Sequence, residues 1–206
     1  MIEDAIKALK NGDMVLLHDA SGREDEVDMV VHASAVKPET IRRMRKDGGG
    51  LICLALSKEK GESLDLPYMT ELMIKSNDTV RNMIPVKTAY GDKPAFSLSV
   101  NHRDTYTGIT DRDRALTITE LERADSPDEL AGNFYAPGHV HLLIARSIEE
   151  RRGHTELSTE LARRAGMTGA VVLCEMMADD GNAMSVEEAG RYAEDNGIIL
   201  ADGGML

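Results

Sequence analysis

Short apolar runs recur along the whole chain: MVLLH at 14–18, MVVHA at 29–33, LICLALS at 51–57, HVHLLIA at 139–145, GAVVLCEMM at 169–177 and IIL at 198–200. Runs of this length without polar alternation suit strands with apolar neighbours on both faces, so the chain must cover a sheet on two sides. The covering segments are equally legible. Ile2, Ala5, Ile6 and Leu9 recur at helical spacing before Gly12, and Pro38 opens a helix that Gly48 ends. Ser126, Pro127 and Glu129 form a capping box, Leu157 and Leu161 share one face of a helix over 155–165 stopped by Gly166, and Ser185 with Glu188 caps a last helix. FSLSV at 96–100 alternates as a half-buried strand does. Residues 58–93 give mixed signals.

Some of these strands follow one another with no helix between, which favours a mixed sheet over a purely parallel one. The expected fold class is α+β (mixed α/β), a central mixed sheet flanked by helices in a single domain spanning 1–206. That length fits one ordinary domain and builds a core without disulfide or metal staples. Cys53 and Cys174 each sit in a strand-like run, which points to buried thiols in a reducing cytoplasm.

The balance of 24 basic and 36 acidic residues gives a net charge of −12, a field that repels nucleic acid and anionic lipid. No apolar run approaches the roughly 18 residues of a membrane span. Neither nucleic acid nor membrane is expected as a partner.

Five of the acids, Asp19, Glu24, Asp25, Glu26 and Asp28, fall within ten residues between two apolar strands. Such a loop can be a solvated turn or a site for a hard cation, which takes carboxylate oxygens. If REDEVD is extended, Glu24, Glu26 and Asp28 share one side. Arg23 would offset their repulsion or fork onto an oxyanion.

A second cluster, RRGHTE at 151–156, sets two arginines and a glycine before a helix start. Backbone N–H groups there, with guanidinium and Thr155 hydroxyl donors, are what a phosphate monoester requires. His154 either ligates a metal, shuttles a proton or makes a helix-start hydrogen bond. PGH at 137–139 enters a strand from a turn, and Glu175 closes the run AVVLCE, either exposed or buried with a partner.

Together, MVLLHDASGREDEVDMV, TGITDRDRALTI, APGHVHLL and RRGHTELSTELARRAGMTGAVVLCEMM resemble the 3,4-dihydroxy-2-butanone 4-phosphate synthase family of riboflavin biosynthesis over most of the chain. The resemblance implies a Mg2+-dependent lyase, with Mn2+ as a substitute, that converts D-ribulose 5-phosphate to L-3,4-dihydroxy-2-butanone 4-phosphate and formate. It also implies a homodimer with the pocket near the subunit interface. Matched by position, Glu24 and His154 are the expected metal ligands, and His139 and Glu175 the expected catalytic residues. Arg23, Glu24, Asp28, Thr107, Arg151, Arg152, Gly153, His154 and Thr155 match substrate contacts, with Cys53 a further pocket position.

Two positions depart from the family pattern. Val27 stands where glycine is common, restricting the loop backbone, and Arg152 replaces a glycine and adds a charge near the expected phosphate. Some relatives continue into a GTP cyclohydrolase II domain, for which these 206 residues leave no room. Two other readings remain: a different metal-dependent sugar-phosphate isomerase or lyase on the same residues, and a non-catalytic protein whose acidic loop binds a structural ion.

Overall fold

The computed structural model describes residues 2–19, 23–85 and 91–206. Residues 20–22 of the acidic stretch and 86–90 of the middle segment lie outside the described residues. The chain runs α1 (Ile2–Lys10), β1 (Val15–His18), β2 (Val27–His32), α2 (Pro38–Arg43), β3 (Cys53–Leu56), α3 (Lys58–Ser63), α4 (Met69–Ile74), α5 (Asp78–Asn82) and β4 (Phe96–His102). It continues with α6 (Asp111–Arg123), α7 (Pro127–Asn133), β5 (Phe134–Ile144), α8 (His154–Arg164), β6 (Ala170–Glu175), α9 (Val186–Asn196) and β7 (Ile199–Asp202).

The strands form one mixed sheet in the order β4-β5-β3-β6-β2-β1-β7, with β3/β5 and β1/β7 parallel and the other pairs antiparallel. Each central strand splits its apolar residues between two cores, as the two-residue period of a strand demands. Leu16, Met29, Leu54, Val172 and Cys174 point to one side, against Ile41, Met44, Ile118 and Leu121. Val15, Leu17, Val30, Cys53, Val171 and Leu173 point to the other, against Ile2, Ala5 and Leu9 of α1 and Leu157 and Leu161 of α8. Truncating any fully buried leucine here, such as Leu54 or Leu161, would cost about 2–5 kcal/mol.

Local details depart from the sequence reading in four places. The helix from Pro38 passes into a π-helical turn over Met44–Gly48, so its left-handed stop is Gly49 (φ 86°) rather than Gly48. The 58–93 segment holds three short helices, α3 to α5. Ser126 caps the Glu129 N–H, but the Glu129 carboxylate accepts from the Asp125 N–H instead of closing a box. PGH is no entering turn: it lies inside β5, beside a register shift against β4. Val27 is fully buried as the first residue of β2, so it belongs to a paired strand and the core rather than to the loop whose backbone it was expected to restrict.

Candidate active site

Three adjacent strands deliver polar side chains to the α1/α8 face of the sheet. Asp28 of β2 stands opposite Glu175 of β6, and Cys53 of β3 stands opposite Leu173, one pleat away. Two carboxylates in directly opposed positions repel, an arrangement a stability-driven sequence avoids. Above them sits the start of α8. Gly153 caps it without a side-chain hydrogen bond, leaving the first N–H groups to other partners. Together Glu24, Glu26, Asp28, Cys53, Phe96, Arg151, His154, Thr155 and Glu175 line a cavity of about 270 Å³. Larger clefts of about 500 and 590 Å³ lie near Lys58 and Arg146, and neither is lined by Glu24, Asp28 or His154.

The acidic loop is held differently from the extended chain expected. Arg23 and Glu24 lie in a turn, Asp25 takes a left-handed conformation (φ 58°), and extended pairing starts only at Val27. Glu24, Glu26 and Asp28 nevertheless face the same cavity. Asp19, almost fully buried, organises the turn: its carboxylate accepts from the Glu24 N–H (3.1 Å), the Glu26 N–H (3.2 Å) and Arg23 Nη1 (3.0 Å).

Glu24 Oε2 lies 3.3 Å from His154 Nδ1, so the loop and the α8 start meet at the two expected metal ligands. One ligand atom from each of Asp19, Glu24 and His154 lies within 4.8 Å of the other two. Asp28 Oδ1 is buried with no hydrogen-bond partner among the described residues, 3.7 Å from His154 Nε2. Carboxylate oxygens with one imidazole form a donor set that suits a hard divalent cation, and the orphaned Asp28 oxygen marks polar capacity the protein itself does not satisfy.

The charges are strongly coupled. Burial pushes Asp28 up to about 7 despite the opposing charge of His154, with Glu175 and Glu26 adding to the rise. Burial alone would lower His154, yet Asp28, Glu24 and Asp19 raise it to about 9. For Glu24, burial raises the pKa, but the His154 hydrogen bond and the Arg23 charge hold it down at about 2. Burial and the Glu24 charge also push Glu26 up. Burial pushes the Cys53 thiol far up, so it stays a neutral wall group.

Arg23 and Arg151 converge beside this cluster, with Gly153 between them. A Cβ on Gly153 would come within 2.5 Å of both guanidiniums, so any other residue there would displace them. Arg151 is buried and pairs with the buried Glu156. Glu175, half-buried, accepts from the Leu51 N–H at 2.8 Å. Arg152 is exposed and donates to the Gly203 carbonyl (3.3 Å), away from the cavity lining. His139 and Thr107 are exposed outside this cavity, His139 held by Asn101 (N–H to Oδ1, 2.8 Å) and Thr107 beside Asp113. The sequence reading counted Asp19 among the five acids of the loop and Glu156 as the end of RRGHTE but matched neither to a site role, and it did not reach Asp92. Asp19 carries a further signal, two residues past Leu17 on the face that Leu17 shares with the α8 core.

The fold and this pocket define a mixed α/β protein whose polar cavity joins a carboxylate–imidazole cluster to an arginine pair. Residues 3–206 match the family model described as 3,4-dihydroxy-2-butanone 4-phosphate synthase. The 3,4-dihydroxy-2-butanone 4-phosphate synthase of Methanothermobacter thermautotrophicus is 47% identical over 100% of this chain and 94% of its own. A riboflavin biosynthesis protein of Bacillus subtilis is 38% identical over 91% of this chain, but only 43% of its own length. A crystal structure of 3,4-dihydroxy-2-butanone 4-phosphate synthase in complex with two magnesium ions superposes with TM-score 0.81 at 30% identity, covering 98% of this chain and 93% of that one. A two-domain synthase from A. baumannii gives TM-score 0.82 at 30% identity; this chain covers 55% of it. The chain belongs to the 3,4-dihydroxy-2-butanone 4-phosphate synthase family, enzymes of riboflavin biosynthesis.

Proposed function

We propose that this protein is a single-domain lyase converting D-ribulose 5-phosphate to L-3,4-dihydroxy-2-butanone 4-phosphate and formate with Mg2+, for which Mn2+ substitutes. The observation that carries this reading is the meeting of Asp19, Glu24 and His154 beside the Arg23/Arg151 pair, with Glu24, His154 and Arg151 lining one small cavity. A relative solved with two magnesium ions supports the metal. Glu24 and His154 would hold the ion, with Asp19 beside them, and the bound ion would stabilise negative charge developing on the ketose oxygens.

The chain's own groups divide the remaining work. Arg23, Arg151, Thr155 and the first N–H groups of α8 offer the donors a phosphate monoester needs, and they fix one end of the substrate. Arg152 would contribute from the rim. Asp28, with a pKa of about 7, exchanges a proton near neutral pH and faces the cavity. Glu175, oriented by the Leu51 N–H, supplies a second proton-transfer group at the end of β6. The carbon-skeleton rearrangement needs several such transfers, and a row of carboxylates at different pKa values can share them.

His139 and Thr107 enter this reading through a homodimer. They are exposed, along with Tyr106, Ile109 and Tyr135, on an apolar stretch that a second copy would bury. No helix among the described residues is long and apolar enough to cross a membrane, and we place the enzyme in the cytoplasm. The decisive experiment is product analysis with ribulose 5-phosphate. Stoichiometric formate that disappears with chelator and returns with Mg2+ is expected, and folded, metal-replete protein releasing none would refute the proposal. Chelation should stop turnover with a small change in Tm. A large Tm loss would instead favour a structural ion, whose binding contributes folding free energy.

A further inference from the structure

Asp92 comes from outside both motifs, yet its carboxylate lies between the two arginines. Arg23 donates to Asp92 Oδ2 from Nε (3.2 Å) and Nη2 (2.8 Å). Arg151 Nε lies 3.5 Å from the same oxygen. That Nε is buried and makes no hydrogen bond among the described residues. One carboxylate oxygen thus serves two guanidiniums and leaves a buried donor unsatisfied, a situation that costs free energy. A tetrahedral anion with three terminal oxygens could satisfy both forks.

The surroundings give Asp92 somewhere to go. It borders a second cleft of about 500 Å³ lined by Lys58, Lys93 and Arg146, and Arg151 borders both this cleft and the site cavity. Gly91, just before it, has a left-handed backbone (φ 89°), and, its chain neighbours aside, no atom of the other described residues lies within 4 Å of its Cβ position.

We propose that Asp92 is an internal anion that occupies the place of the substrate's phosphate between Arg23 and Arg151 and leaves it when phosphate binds. Asp92 therefore sets the affinity for phosphorylated substrate: it helps compensate the buried Arg151 and the half-buried Arg23 in the empty enzyme and gives way only to a stronger polydentate anion. This rests on the reading that the arginine pair binds the substrate phosphate. A site blocked by its own side chain binds with an affinity reduced by the unblocked fraction. An occupancy of roughly 70 to 90% therefore weakens binding about 3- to 10-fold.

The test is calorimetric titration of the full chain with inorganic phosphate at fixed ionic strength, for wild type, Asp92→Asn, Asp92→Ala and Arg151→Gln. Phosphate binding to wild type that Arg151→Gln weakens establishes the arginine site. Both Asp92 variants are then expected to bind phosphate about 3- to 10-fold more tightly, with KM for ribulose 5-phosphate lowered in parallel. Unchanged or weaker binding in the Asp92 variants would overturn the proposal and make Asp92 a brace that positions the arginines. A crystal structure with phosphate bound is the second readout. Asp92 withdrawn from both guanidiniums supports the exchange, whereas Asp92 still bridging them overturns it even if the variants bind tighter, because removing a nearby charge would then explain the gain. If Arg151→Gln leaves wild-type affinity intact, the arginine-site reading fails and takes this inference with it.

Discussion

At the scale of the residue, the site is a balance between burial and charge centred on His154. Its ring would lose its proton below neutrality if burial acted alone, yet Asp28, Glu24 and Asp19 keep it charged up to about pH 9. In the unfolded chain the same ring titrates near 6.5. Its contribution to stability is therefore fully present below pH 6.5 and is lost as pH rises through 9. Asp28 acts in the same direction in a lower window: burial raises it from 3.8 to about 7, so folding is favoured most below 3.8 and loses that advantage by 7. Metal-free protein should lose about 1 to 3 kcal/mol between pH 6.5 and 9.5 in denaturant titrations. His154→Gln should flatten that slope. An unchanged slope in the variant would show that His154 is not charged in the folded state. The same coupling requires a bound cation to expel the His154 proton, since only neutral imidazole ligates.

At the scale of the element, the sequence exposed what depends on neighbours within a few residues. The strands β1, β2, β3 and β6 were legible because both faces are buried, so their runs are continuous, and α1, α8 and α9 were legible from spacing and caps. The start of β5 was not, because Ala136, Pro137 and Gly138 look like a turn when read alone. They lie within β5 at a register shift against β4, where the chains run so close that a Cβ on Gly138 would overlap the Val100 backbone. Within the site, Glu24, His154 and Glu175 were legible as motif residues. Asp92 was not, since only the tertiary fold brings it to Arg23, 69 residues away. Gly153 shows how an element's end serves the site. Its backbone (φ −88°) suits any residue, so alanine would strain nothing locally, but its Cβ would push Arg23 and Arg151 apart. Gly153→Ala should therefore leave stability within about 1 kcal/mol while lowering kcat/KM at least about tenfold, mostly through KM. A variant with wild-type KM would show that the arginine spacing does not matter.

At the scale of the whole molecule, one chain does not bring all the expected catalytic residues together. Glu24, Asp28, His154 and Glu175 share the cavity, whereas His139 and Thr107 stand exposed beyond it. His139 is not loosely placed. Asn101 accepts from its N–H and faces its ring nitrogen at 3.1 Å, and the Asn101 amide also donates to the Tyr135 hydroxyl. Such fixation of an exposed imidazole fits a residue presented to something outside its own chain, and Tyr106 is 96% exposed as well. In the homodimer proposed above, a symmetric two-fold interface would let each copy offer His139 and Thr107 to the other's cavity. The consequence is complementation. His154→Ala and His139→Ala should each be inactive as pure dimers. After co-refolding in equal amounts, about half the dimers are mixed, and each mixed dimer contains one site with both histidines intact. Activity should return to about a quarter of wild type. Tyr106→Asp should abolish the recovery and shift the protein to a monomer by sedimentation velocity. If the mixture stays inactive while sedimentation shows mixed dimers, the site is built within one chain and His139 acts elsewhere.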